Sequence, residues 1–462
     1  MMNHRQLQRF INGARPRFED QLGQMVQVPS ISMDPSHAAD MRRMADLAAQ
    51  YLTDLGADAQ IVETEGYPLV SGGWTTGAQH PTVTVYNHMD VQPAQEPEWK
   101  QDPFVFRNEE GIYRGRGATD DKGPALSALF GAWFAIEQGV PVNIRLLWEL
   151  EEEIGSPHFE TGLKNRAAVP RPDSVVVSDT IWIANGRPAM PYGLRGLLGA
   201  RLTLRTGSKD AHSGLTGGAA RNPLAELMEV ANACLDAKTG KVKIPGFYDE
   251  VIEPTKAEIK SFLKSGFQVK RFKDAYGLQS LRTQDPTDVM RRIWASPTFE
   301  IHGLTGGYHG PGVKTVVPSQ GELKVSMRLV PNQKPEQVFA ILKKYIAKVN
   351  PKVKVEREGM LQPFRGLFDG PYVEAVKRAV REGFGKEPAF VREGGSIGAV
   401  VTMQKAWQAP ILFMGLSLPE HGYHAPNEYF DWGQASGGMK AFAHYFSELA
   451  KINKEEDLKK VR

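Results

Sequence analysis

Cysteine is almost absent: Cys234 is the one cysteine in 462 residues. A single thiol closes no internal disulfide, which excludes a disulfide scaffold and suits a reducing compartment. Net charge is nearly as scarce. Lys and Arg number 56 against 53 Asp and Glu, leaving +3, so no global field favours nucleic acid or an anionic membrane surface. Long apolar runs are missing too, and nothing approaches the roughly 18 uninterrupted apolar residues of a membrane span. The first twenty residues, MMNHRQLQRFINGARPRFED, carry charge throughout where a signal peptide would be apolar. What remains is ordinary globular composition, 41% hydrophobic and 24% charged, with ample material for a large core. At about 150 residues per domain the length allows two or three domains. The expectation is a cytoplasmic globular protein with no nucleic-acid or membrane partner.

The chain changes style twice. In its first 190 residues, helical patterns (16–28, 38–55, 124–138) alternate with short β-rich runs (82–87, 143–150, 174–178), the signature of an α/β sheet with helices on both faces. After Pro191 a different set follows: strands at 197–206, 324–330 and 353–357, helices at 222–235 and 335–349, and an irregular, charged stretch at 238–300. From about Asp369 the first style returns, with helices at 371–384 and 433–452 and strands near 389–392 and 411–415. This reads as one discontinuous α/β domain with a mixed central sheet, residues 1–193 and 367–462, interrupted by an inserted α+β domain at 194–366. The tail 454–462, KEEDLKKVR, reads as a frayed charged end.

Ionisable residues gather at the ends of the predicted strands, where open α/β sheets build sites. His88 and Asp90 follow the run TVTVYN and share a face in extended chain; such a pair suits a metal imidazole oriented by a carboxylate. Asp120 and Asp121 stand before the helix at 124. A helix dipole alone would explain two acids there, but Asp120 can also set its two oxygens between two cations. Glu151, Glu152 and Glu153 follow NIRLLWEL. An acidic triplet is ordinarily solvated surface, yet at a strand end one carboxylate can bind metal while its neighbour serves as base. Asp179 follows SVVVS, and His424 lies in HGYHAPNE after ILFMG. Two histidines and several carboxylates without thiolates suit zinc, manganese or cobalt better than a structural cysteine-rich zinc site.

Taken in order, YNHMDVQPA, GRGATDDKGP, EEEIGS, SDT and HGYHAPNE resemble the binuclear metallohydrolases that include aminoacylases, succinyl-diaminopimelate desuccinylase, carboxypeptidase G and the cytosolic dipeptidases. VQPA, KTVVP, RLVPN and REGGSIGAV are closer to the carnosinase and cytosolic nonspecific dipeptidase branch. The resemblance spans about residues 15 to 450. It implies two divalent ions per subunit, zinc first, with manganese or cobalt as alternatives: one bound by His88 and Asp179, the other by Glu153 and His424, with Asp120 bridging and followed by a cis peptide bond. It implies Glu152 as general base and Asp90 as the carboxylate behind the metals. Asp210-Ala211-His212-Ser213-Gly214 matches a lid motif whose histidine reaches the neighbouring subunit's site, so the insertion would be a lid and dimerisation domain of a homodimer. His212, Thr315, Arg328, Glu393 and Ser396 match substrate-contacting positions, Arg328 for a carboxylate. The implied activity is hydrolysis of dipeptides or short peptides. Hydrolysis of N-acyl amino acids is the alternative, and a non-catalytic binding protein the reading from another class. One departure stands out: Asn87 occupies the position where the family usually has Gly.

Overall fold

The computed structural model describes residues 3–452, so the expected frayed tail lies outside the described residues. A six-stranded sheet runs in the order Asp58–Val62, Leu69–Trp74, Asn143–Glu149, Thr82–His88, Ser174–Val177, Ile411–Phe413. The first three strands pair antiparallel and the rest parallel, so the sheet is mixed. Asn143–Glu149 is buried at every residue, as expected of a central strand covered on both faces. Helices His4–Val26, Gly123–Glu137, Pro371–Phe384 and Trp432–Leu449 join the same apolar core.

The first helix is longer than its sequence pattern suggests. It begins at His4, capped by the Asn3 side chain, and continues through Pro16. Leu7, Ile11, Ala14, Phe18 and Leu22 form a buried stripe at helical spacing, and their burial outweighs the one backbone donor that proline removes.

A second sheet is antiparallel throughout, in the order Glu300–Gly306, Gln320–Leu329, Gly196–Arg205, Lys354–Leu361. Gly196–Arg205 alternates buried and half-exposed residues, the period-two pattern of a sheet with one covered face. Leu198, Leu202, Val325 and Met327 point inward against Leu227 and Cys234 of Pro223–Cys234 and Leu342 of Pro335–Val349. Residues 238–300, irregular by sequence, contain three short helices: Lys256–Lys264, Val269–Ala275 and Pro286–Trp294. Thr255 and Glu258 form a reciprocal capping box on the first, and Asp285 caps the third. Their shortness leaves little periodicity to detect. Among the described residues no helix is long and apolar enough to cross a membrane.

Candidate metal centre and active site

Strand register brings the acidic clusters together. Thr82–His88 lies parallel to Asn143–Glu149 with His88 opposite Glu149, and parallel to Ser174–Val177 with Tyr86 opposite Val177. Ile411–Phe413 continues in the same direction. The carboxyl ends of these strands therefore open along one edge, and the chain leaves them into Asp90, Glu152, Asp179 and His424. Asp120 arrives from the turn Ala118–Lys122, whose bond from Asp120 to Asp121 is cis. Gly117 enters that turn at φ 84°, and a Cβ there would sit 2.6 Å from Val91, so only glycine fits.

At that edge His88 Nε2 lies 3.0 Å from Asp120 Oδ1 and 4.0 Å from Asp179 Oδ2. His424 Nε2 lies 3.0 Å from Asp120 Oδ2 and 3.2 Å from Glu153 Oε2. Asp120 thus faces both imidazoles, one with each oxygen. Two groups of converging ligand atoms result: His88, Glu152 and Asp179, and Asp120, Glu153 and His424. A third group, His4, Glu382 and His444, sits on helices away from the cavity.

The electrostatics are those of a crowded anionic pocket. Burial, reinforced by neighbouring carboxylates, lifts the Glu152, Glu153 and Asp179 carboxyls above their ordinary range. Burial also opposes ionisation of Asp120, but hydrogen bonds from His424 and His88 hold it well below the usual carboxylate range. Burial of His424 is outweighed by Asp120 and Glu153, which push the imidazole up to about 11. Four withdrawn carboxylates face only two imidazoles. Such a set needs added positive charge, and its nitrogen and oxygen donors without thiolate fit divalent cations.

Asp90 stands behind the ligands. Its carboxylate accepts the backbone N–H groups of Glu152 (3.1 Å) and Glu153 (3.0 Å) and the Ser32 hydroxyl (2.7 Å). The Asp90 carbonyl lies 3.0 Å from His88 Nδ1 and its carboxylate 3.5 Å. This sets the tautomer of His88 and turns Nε2 towards Asp120.

Other supporting groups carry no signal of their own in the sequence. Glu428 accepts the backbone N–H groups of Gly117, Thr119 and Asp120 at 3.0, 2.9 and 3.1 Å, and pairs with Arg116 at 2.9 Å. It fixes the Asp120 turn from more than 300 residues away. The Tyr423 hydroxyl donates to Asp179 at 2.6 Å, and Gln92 donates to Glu153 at 2.7 Å. Glu151 accepts from the Tyr67 N–H at 3.0 Å and the His158 N–H at 3.2 Å, which makes the first glutamate of the triplet a loop anchor. Asn87 donates to Asp121 at 2.7 Å.

A cavity of about 1020 Å³ opens on the cluster, lined by Asp120, Glu152, Asp179 and His424 and, further out, by Arg328, Glu393 and Ser396. Arg328 donates to the Ser396 hydroxyl at 3.0 Å and makes no ion pair among the described residues. Burial and the nearby Asp179 push the Glu393 carboxyl up to about 8, against one backbone hydrogen bond. His212 and Thr315 do not reach this cavity within the chain. They sit beside each other where Ala211–His212 pairs with Val316–Val317, both exposed.

The profile of peptidase family M20/M25/M40 matches residues 84–448. The chain is 32% identical to the Cys-Gly metallodipeptidase dug1 of Schizosaccharomyces pombe, over 96% of this chain and 98% of that protein. It is 30% identical to the human Beta-Ala-His dipeptidase, over 96% and 92%. Among solved structures, the di-peptidase Dug1p of Saccharomyces cerevisiae superposes with a TM-score of 0.86 at 30% identity, covering 97% of this chain and 98% of that one.

Proposed function

Starting from membership of peptidase family M20/M25/M40, to which the chain belongs, we propose that this protein is a metal-dependent dipeptidase acting on dipeptides or short peptides. The observation that carries the reading is the pair of ligand groups joined through Asp120, with the Glu152 carboxyl at their edge. His88, Asp120 and Asp179, and Asp120, Glu153 and His424, would hold two divalent cations, zinc first among zinc, manganese and cobalt, which when bound would lower the pKa of a water and polarise the scissile carbonyl. Glu152 takes the proton of the attacking water and passes it to the leaving amine. Asp90 is a positioning residue, since it acts through the backbone of Glu152 and Glu153 and the ring of His88. Arg328, steadied by Ser396, receives the substrate's carboxylate, and Glu393 lines the substrate cavity beyond the metals.

His212 serves the site of a second copy in a homodimer, where it donates to the developing oxyanion, and Thr315 contacts substrate beside it. The His212 Nδ1 accepts the Gly214 N–H at 3.0 Å, so a neutral ring carries its proton on Nε2, facing solvent. Nearby Leu215 and Val313 are 86% and 91% exposed, and Ile301 and Leu304 are exposed on the edge strand Glu300–Gly306; uncovered apolar surface of this kind favours a partner. On this reading residues 194–366 form the lid and dimerisation domain and 1–193 with 367–462 the catalytic one. The lone, buried Cys234 is in keeping with a cytoplasmic setting.

The test is hydrolysis of free and N-acylated dipeptides by chelated protein, repeated after zinc, manganese or cobalt is returned. Metal-restored cleavage of the free dipeptides is the expected result. Cleavage of the acylated compounds alone would move the assignment to an N-acyl-amino-acid amidohydrolase, and no turnover with any metal would overturn the enzyme reading.

A further inference from the structure

Residues 267–276 and the end of Pro286–Trp294 give the cavity an aromatic wall. Phe267, Phe272, Tyr276 and Trp294 all line it. Their rings form a ladder: Trp294 to Phe267 at 5.6 Å, Phe267 to Phe272 at 5.5 Å, and Phe272 to Tyr276 at 5.1 Å between centroids. Trp182, also on the cavity, packs edge-on against Phe384 at 4.6 Å. Tyr276, by contrast, remains 55% exposed, and its hydroxyl has no hydrogen-bond partner among the described residues. Arg271 and Asp274 lie in the same wall with opposite charge, so what the wall offers is ring area rather than a field.

The wall stands beside the anion anchor. The Thr298 N–H donates to the Arg328 carbonyl at 3.0 Å, and the Thr298 hydroxyl accepts the Arg328 N–H at 3.3 Å. Thr298 lies four residues after Trp294, the foot of the ladder. At the other end, Tyr276 shares the cavity lining with Glu393. Arg328 and the four rings line one cavity, and in a residue whose carboxylate is held by Arg328 the Cα that bears the side chain is one bond from that carboxylate.

We propose that Phe267, Phe272, Tyr276 and Trp294 form the subsite for the side chain of the substrate's C-terminal, leaving residue, and that it selects large apolar side chains, aromatic ones above all. The proposal rests on the reading that Arg328 takes the substrate carboxylate. Planar rings stack or meet edge-to-face at such separations, and a hydrophobic pocket discriminates by about 10–200-fold for small changes in apolar size.

The experiment compares kcat/KM for Ala-Phe, Phe-Ala and Ala-Gly in metal-loaded wild type, Tyr276→Ala, Phe272→Ala and Phe272→Leu. Both alanine variants are expected to lose about tenfold or more on Ala-Phe, through KM, while Ala-Gly stays within about twofold. Phe272→Leu, which keeps apolar volume, is expected to recover part of the loss. An equal loss on Ala-Gly, a loss confined to Phe-Ala, or no loss at all would overturn the subsite. If Phe272→Ala fails to melt cooperatively, Tyr276→Ala decides, because its ring is exposed. A wild type inactive on all three dipeptides would break the dipeptidase reading instead. Binding of phenylalanine would then still test the wall, with wild type expected to bind more tightly than Tyr276→Ala and equal binding overturning the proposal.

Discussion

The two large sheets treat their polar residues in opposite ways. At the edge of the six-stranded sheet, Asp120, Asp179 and His88 are withdrawn from solvent, the two carboxylates 3.0 and 4.0 Å from the imidazole. Beside the four-stranded sheet, His212 and Thr315 stand in the open next to Leu215 and Val313. Withdrawn carboxylates that repel one another call for a cation bound among them. An exposed imidazole set in uncovered apolar surface calls for something docked from outside. One region is short of charge and the other short of a neighbour.

The largest effect that would break this comparison is metal removal. Chelation is expected to abolish turnover and added zinc, manganese or cobalt to restore it. Glu152→Gln should lower kcat by about 10²–10⁴-fold with metal content, read by atomic absorption, unchanged; a loss of metal would move Glu152 from base to ligand. On the other side, His212→Ala should cost about 10²–10³-fold in kcat while leaving the metals in place. Mixed dimers of His212→Ala with Glu152→Gln should then regain activity, and failure in demonstrated heterodimers would place His212 outside the partner's site.

A smaller effect is expected at Glu428. Glu428→Gln leaves the N–H groups of Gly117, Thr119 and Asp120 with a weaker acceptor, and metal affinity should fall by about 10–100-fold, as measured by competition with a chromogenic chelator.

The smallest expected effect is on stability. Burial opposes ionisation of Glu258, but hydrogen bonds from the Thr255 N–H, the Tyr192 hydroxyl and Arg392 hold its carboxyl down to about 2, against an ordinary 4.5. A depressed folded-state pKa contributes stability that is present above pH 4.5 and lost as pH falls towards 2. Denaturant midpoints at pH 5.5 and 3 should therefore differ less in Glu258→Gln than in wild type. An unchanged difference would remove Glu258 from the account.

Much of the central sheet could be read along the chain because its strands are short apolar runs ended by acids, as at Asn143–Glu149 and Ser174–Val177. The helix Pro335–Val349 could be read at both ends because proline marks its start and a regular apolar stripe carries it. Residues 256–294 escaped such reading: helices of seven to nine residues hold too few turns to show a period. Glu428 and Tyr423 escaped for another reason. Their partners, Asp120 and Asp179, lie hundreds of residues away, and only the packed fold makes them neighbours.

What the sequence by itself determined is the kind of chemistry available: hard nitrogen and oxygen donors placed at the ends of apolar strands, with no cysteine among them. Local pattern suffices for that, because strand ends and turn residues are set by near neighbours. What only the tertiary structure decided is which oxygen of Asp120 meets which imidazole, that Glu151 anchors a loop while Glu152 lines the cavity and Glu153 meets His424, and that the rings of residues 267–276 line that same cavity. Those are consequences of strand register and of packing between distant segments, and no local preference of the chain encodes either.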